Sequence, residues 1–136
     1  MPGFLARLTR REAAHLRVGR LGEKAAARHL RQRRYTVLER NTRTARGELD
    51  LICLAPDRQT VVIVEVKARA LRPGASEDGF RPELHITQAK RAKLRSLAQS
   101  VRQARGWLDR PVRIDVIAVD LDRRNKPTVR HYENAV

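Results

Sequence analysis

Cysteine is nearly missing from this chain: Cys53 is the single one in 136 residues. It has no partner for a disulfide or a zinc cluster, which excludes both kinds of small stapled scaffold. Its place inside an apolar run reads as that of a small buried hydrophobe, and a reducing, cytoplasmic setting fits. Aromatics are scarce at 4%, which argues against a protein that stacks successive bases on exposed rings. No apolar run is long enough to span a membrane, and no lipidation motif is present. The stretch MPGFLARLTRREAAHL lacks a sustained apolar segment, so no secretory signal is expected. Internal repeats and long linkers are missing too, and the whole of 1–136 reads as one domain.

Acidic residues are also in short supply. There are 15 Asp and Glu against 30 Lys and Arg, for a net charge of +15. Like charge at that density opposes compaction, and a polyanion is the natural compensation, because cations on phosphates release condensed counterions. Anionic lipid, an acidic protein and simple solubility charge are the competing readings. Hydrophobic residues at 41% are enough for a core, which excludes global disorder.

Local patterns predict the elements in the order α-β-β-β-α-β-β, a mixed α/β chain whose sheet is covered by helices on both faces. The first helix is expected from about Arg10 to Arg33, with Gly19 and Gly22 lowering its propensity. A short strand, Tyr35 to Leu38, is followed by a polar, basic passage through Arg46. Two strands come next, one opening at Gly47 and one ending near Lys67. The stretch from Arg69 to Pro82 has no periodicity and reads as a functional or mobile loop. A second helix is expected from Thr87 to Arg105, with Leu94, Leu97, Ala98, Val101 and Ala104 on one stripe and Gly106 as its stop. Strands at Val112–Leu121 and Thr128–Tyr132 complete the chain. Residues 1–9 and the last few are expected to fray.

The informative segment is GELDLICLAPDRQTVVIVEVKAR, residues 47–69. Two apolar runs flank a turn, yet Glu48, Asp50, Glu65 and Lys67 sit at their far ends. With the turn centred between Asp57 and Arg58, paired positions sum to 115. Leu54 then faces Val61, Ile52 faces Ile63, Asp50 faces Glu65 and Glu48 faces Lys67. Two carboxylates directly opposed on a sheet repel, the more so when buried. Protonating one of them removes the repulsion, and so does a divalent cation; Mg²⁺ or Mn²⁺ suits a pair of carboxylates completed by water and phosphate. Lys67 beside such an ion can offset charge building on a phosphate. Its identity is telling, since Arg fills 25 of the 30 basic positions and Lys only five. A surface salt bridge at a strand end is the competing reading. Both strands are apolar on both faces, which places them centrally in the sheet.

Glu23 shares a helical face with Gly19, Ala26 and Leu30, a stripe that would let the helix approach the sheet and bring this acid near the cation. An exposed Glu paired with one of the many arginines is the alternative. His15, His29, His85 and His131 have no metal-ligand spacing. Asp115 with Arg113 reads as a structural ion pair, and Trp107 as a core anchor.

Asp50 followed by Glu65-Val66-Lys67 resembles the signature of the PD-(D/E)XK nuclease superfamily, with its restriction-endonuclease-like core. More narrowly, the chain resembles the YraN-like family of predicted endonucleases, related to archaeal Holliday junction resolvases. The matching segments are Gly22-Glu23, Tyr35, Asn41-x-Arg43, Gly47 to Ile52, Val64 to Arg69, Lys90 and Arg113 to Val116. The resemblance implies a mixed sheet between helices, metal ligands at Asp50 and Glu65, a catalytic Lys67 and Glu23 as an auxiliary acid. The Val66 carbonyl would add a ligand. One departure is that Leu49 stands where the superfamily motif has its proline.

Metal-dependent cleavage of DNA, selective for branched structures, is therefore the leading expectation, with a homodimer suited to a two-fold junction. Arg43, Arg46, Arg69 and Lys90 are the expected phosphate contacts, with little sequence readout. The rival is a nucleic-acid-binding module, for DNA or RNA, that keeps the fold and cuts nothing.

Overall fold

A capping box starts the first helix in the computed structural model, which describes residues 7–71 and 86–136. Thr9 Oγ1 accepts from the Glu12 N–H at 3.1 Å, and the Glu12 carboxylate accepts from the Thr9 N–H at 2.8 Å. Two otherwise orphaned donors are thus satisfied. From that start α1 runs over Arg10–Gln32 and buries Gly22, Ala26, Ala27 and Leu30. Thr9 is therefore anchored where fraying was expected, while residues 1–6 lie outside the described part.

Five strands form one sheet in the order β1-β2-β3-β4-β5, with β1 at Thr36–Thr44, β2 at Gly47–Leu54, β3 at Val61–Ala70, β4 at Val112–Leu121 and β5 at Pro127–Tyr132. All neighbours are antiparallel except β3 and β4, whose ten-pair register from Val61↔Val112 to Ala70↔Leu121 is parallel. A parallel pair needs a crossover. That connection includes α2, at Gln88–Ala104, which is capped by Thr87 and followed by Gly106 at φ +70. The central position of β3 explains its continuous Val-Val-Ile-Val run, buried on both faces.

β1 is longer than its sequence suggests. The strand was expected to end at Leu38, but the polar, basic passage that follows, Glu39 to Arg46, is strand as far as Thr44. β1 lies at a sheet edge, where charged residues are tolerated and protect against edge-to-edge pairing. Its order comes from pairing with β2, which local polarity does not report. A register shift between Val37 and Glu39 and the left-handed Asn41 (φ 48) distort it. The expected loop from Arg69 is also shortened, since β3 continues through Ala70; residues 72–85, which include the rest of that loop and His85, lie outside the described part.

Two apolar layers sandwich the sheet. On one face Ala26, Ala27 and Leu30 of α1 pack on Leu51, Cys53, Val62, Val64, Ile117 and Val119. On the other, Leu94, Leu97, Ala98 and Val101 of α2 pack on Ile52, Val61, Ile63 and Ile114, with Trp107 partly buried beside them. Cys53 is buried in the first layer, where burial pushes its thiol up to about 12 and keeps it inert. The C-terminal residues, expected to fray, are tied down: Ala135 N–H donates to the Ile114 carbonyl at 3.0 Å, and Val136 packs on the second layer. Among the described residues no helix is long and apolar enough to cross a membrane.

Gly22 sets the approach of α1 to β3. A Cβ there would collide with the Cβ of Ala68. Gly22→Ala should therefore cost about 1–3 kcal/mol, the usual range for overpacking. Urea unfolding of Gly22→Ala, Ala68→Gly and the double variant checks this, with Ala68→Gly expected to recover part of the loss in the Gly22→Ala background.

Candidate active site at the strand fork

The β2–β3 ladder runs from Leu54↔Val61 to Leu51↔Val64, with pair sums of 115 as the turn chemistry implies, and no pair is formed beyond Leu51. Asp57 fixes the turn by accepting from the N–H groups of Gln59 and Thr60, both at 2.9 Å. At the far end the strands part. The Val66 N–H, which a further ladder step would use, instead donates to Asp50 Oδ2 at 2.8 Å. Alternation lapses here as well, since Leu49 packs with Ile52 in the α2-side layer. The expected Glu48–Lys67 pair does not form: Glu48 pairs with Arg43 of β1, and Lys67 with Ala118 of β4. Opposed charges at the mouth of the hairpin are better accommodated by a fork than by a closed ladder.

Glu65 is the buried acid of the fork, 7% exposed. Two ammoniums meet its Oε1: Lys67 Nζ at 3.4 Å and Lys90 Nζ at 3.2 Å. Lys67 lies two residues along the same strand face. Lys90 arrives from the first turn of α2, which the Thr87 cap orients by accepting the Lys90 N–H at 3.1 Å. Asp50, half-buried, has its carboxyl pushed up to about 7 by burial first and the nearby Glu65 charge second, against the lowering effect of the Val66 N–H. The charge of Glu23 adds to the rise.

Glu23 approaches from α1. With the Asn41 amide turned so that its nitrogen faces the acids, it donates to both Glu23 oxygens and to Glu48 Oε1, each at 3.2 Å. Burial raises the Glu23 carboxyl above its ordinary value, the Asn41 bond opposes that, and Glu48 adds to it. The structure thus brings Asp50, Glu65 and Lys67 together and sets Glu23 beside Asn41 and Glu48. Sequence reasoning missed the bridging role of Asn41, which depends on a left-handed backbone at an edge-strand irregularity.

The four expected phosphate contacts divide. The Arg43 side chain is 88% exposed, with Nε 3.7 Å from Glu48, and Arg46 reaches Ser96 Oγ at 2.6 Å on the surface. Lys90 is the partner of Glu65 already described. Arg69 Nε donates to the buried Asp120 at 2.9 Å, and Arg130 reaches the same carboxylate at 2.8 Å. The Asp115–Arg113 ion pair is present at 3.0 Å, joined by His131 Nε2 at 2.8 Å and the Asn134 N–H at 2.9 Å. Burial raises the Asp115 carboxyl, but these bonds outweigh it and hold it below the ordinary range. The His131 and Asp120 contacts carry no local sequence signal, since strand pairing alone creates them.

Among the described residues, no group of three or more His, Cys, Asp and Glu side chains could hold a metal ion. What the fork offers is smaller: two carboxylates and the Val66 carbonyl, which points to the same side as the Val66 N–H. All are hard oxygen donors, and Mg²⁺ commonly takes only one or two protein carboxylates, so the set fits such an ion.

Fold and site together define a mixed α/β protein with a carboxylate–lysine cluster where two central strands diverge. The chain belongs to the uncharacterised protein family UPF0102, which matches residues 22–119. It is 42% identical over 119 residues to a UPF0102 protein of Clavibacter michiganensis, covering 87% of this chain and 94% of that one. A UPF0102 protein of Renibacterium salmoninarum is 37% identical over 117 residues, covering 85% of this chain and 92% of the other. The matched span includes Glu23, Asn41, the whole fork and Lys90.

The raised Asp50 carboxyl has a consequence for stability. Its folded value of about 7 exceeds the unfolded one near 3.8, so the folded state holds this proton more tightly. The associated stability is fully present below about pH 4 and is lost as pH rises through 7. Asp50→Asn keeps an acceptor for the Val66 N–H and removes the charge. In chelator at pH 8 it should be more stable than wild type by about 1–3 kcal/mol, with the gain vanishing near pH 4. Urea unfolding across that range measures the difference.

Proposed function

We propose that the protein is a divalent-metal-dependent endonuclease acting on DNA phosphodiesters, with a restriction-endonuclease-like core. One observation carries the reading: Asp50 and Glu65 are brought together at the strand fork with Lys67 Nζ 3.4 Å from Glu65. Like charges gathered half-buried destabilise a fold, and a cation relieves that cost. Asp50, Glu65 and the Val66 carbonyl would hold Mg²⁺ or Mn²⁺. A cation bound there supplies Lewis acidity toward the scissile phosphate.

The chain's own groups do the rest. Lys67 sets an ammonium where negative charge builds on the phosphate during attack by water. Lys90 flanks the same carboxylate and steadies it against rotation. Glu23, with its carboxyl raised by burial, stands behind Asn41 as a proton acceptor for water entering from the α1 side. Exposed Arg43 and Arg46 extend the positive surface on the β1–β2 side of the fork. Scarce aromatics and a +15 charge favour backbone contacts over base readout. Branched DNA, a homodimeric arrangement on it and a cytoplasmic setting belong to the same proposal.

A second reading has its own support. Lys67 and Lys90 together neutralise Glu65, as a module that binds nucleic acid without cutting it would require.

The two readings separate on Glu65→Gln, which keeps the shape of the side chain and removes its charge. If the nuclease reading holds, Mg²⁺ raises the melting temperature of wild type but not of the variant. Cleavage of a four-way DNA junction should then fall about 100-fold or more while binding to that junction is kept. Wild type that neither cuts linear, flapped or four-way DNA nor responds to Mg²⁺ or Mn²⁺ leaves the binding module as the answer.

A further inference from the structure

The outer face of α1 presents a feature that the fork does not use. Arg17, Arg20, Lys24, Arg28 and Arg31 are all exposed and follow one another at steps of three and four residues. That spacing aligns them along one side of the helix, about 21 Å from first to last. Only two acids lie in α1, and both are engaged elsewhere: Glu12 in the capping box and Glu23 with Asn41. Among the described residues, none of the five cations has a salt-bridge partner, whereas Arg69, Arg105, Arg113 and Arg130 all meet carboxylates. Each neighbouring pair along the stripe is a like-charge contact that destabilises an isolated helix. An uncompensated row of this kind is stabilised by an external polyanion.

We propose that this stripe is a docking platform for the phosphate backbone of duplex DNA, laid along α1 and leading past Glu23 toward the fork. The proposal rests on the nucleic-acid half of the reading above and names where the duplex lies. Several points favour DNA over an anionic membrane. The apolar side of α1 is spent on the sheet, where Ala26, Ala27 and Leu30 are fully buried. What remains outward around the stripe is mostly charge, with Leu16 the one large apolar side chain of α1 exposed there and no continuous apolar strip to enter lipid. Geometry agrees, since about 21 Å corresponds to about six nucleotide steps of one strand, a length over which several phosphates can be met. Lys24 adjoins Glu23 in the chain, so a backbone following the stripe passes the α1 side of the acidic cluster. The stripe thus supplies affinity without sequence readout, and the fork supplies chemistry.

The test is duplex binding by the full chain in EDTA, where cleavage is silent, followed by fluorescence anisotropy at several salt concentrations. One variant carries Arg17→Gln, Arg20→Gln, Lys24→Gln, Arg28→Gln and Arg31→Gln. A second loses the same charge at exposed sites elsewhere, through Arg58→Gln, Arg95→Gln, Arg123→Gln, Arg124→Gln and Lys126→Gln. The stripe variant should bind at least about tenfold more weakly, and the slope of log affinity against log salt should flatten by about 3, as for several lost phosphate contacts. The scattered variant should change by less than about threefold. Glutamine keeps good helix propensity and removes repulsion, so the melting temperature of the stripe variant should hold or rise. The paired variants Arg17→Gln/Arg20→Gln and Lys24→Gln/Arg28→Gln, read in the same way, cover a failure of the fivefold one to fold. Equal losses in stripe and scattered variants would overturn the proposal, as would no loss in the stripe variant. Wild type that binds anionic vesicles but no duplex overturns it too. A nuclease reading that fails on Glu65→Gln leaves this result standing, because no cleavage is measured here.

Discussion

A single hydrogen bond, from the Val66 N–H to Asp50 Oδ2 at 2.8 Å, organises the site. It replaces the next step of the β2–β3 ladder by a side-chain contact, and so decides where the two strands stop pairing. Everything near the fork follows from that exchange. Asp50 is held at the mouth of the hairpin, Glu65 is brought close enough to raise its neighbour's proton affinity, and the Val66 carbonyl is turned to the same side. A backbone donor that would otherwise be orphaned is satisfied by an acid that would otherwise be repelled. The pairing is thus two imperfections that offset each other.

The same site depends on helices from opposite faces of the sheet. α1 contributes Glu23 and comes close because Gly22 lacks a side chain against Ala68. α2 contributes Lys90, carried in on its first turn. Neither helix alone completes the electrostatics. Glu23 and Glu48 meet on the α1 side through Asn41, whereas Glu65 lies with both ammoniums, Lys90 reaching it from α2. On the proposed nuclease reading, an anionic ligand would reach in with its charge near Lys67 while a cation would rest on the carboxylates.

Much of this was legible in the sequence where local chemistry sets the outcome. The turn at Asp57-Arg58 fixed the β2–β3 register, and apolar matching of Leu54 with Val61 and Ile52 with Ile63 is what the ladder shows. Helix limits followed from Thr87 and Gly106. Failures cluster where the deciding partner is distant. The strand character of Glu39 to Thr44 is imposed by β2, and nothing in its own composition reports it. Extrapolating the register to Glu48 and Lys67 failed because burial of opposed charge parts the strands, an effect that counting pairs does not contain. Asn41, Asp120 and His131 gain their partners only through tertiary pairing, across an edge irregularity or between adjacent strands.

The parallel junction of β3 with β4 bears on how the chain comes to its native state. Val61 and Val112 are neighbours in the sheet but far apart along the chain, and all ten pairs share that separation. Contacts of such high contact order are slow to form, because loop closure must precede any gain from pairing. During synthesis α1, β1, β2 and β3 leave the ribosome first and can assemble into a sheet whose β3 edge is bare. That edge carries Val61-Val62-Ile63-Val64, an apolar run of high β propensity and a ready template for a second nascent chain. The strand that presents Glu65 and Lys67 therefore stays unprotected while the crossover is made, and its hazard ends only when residues 112–121 arrive.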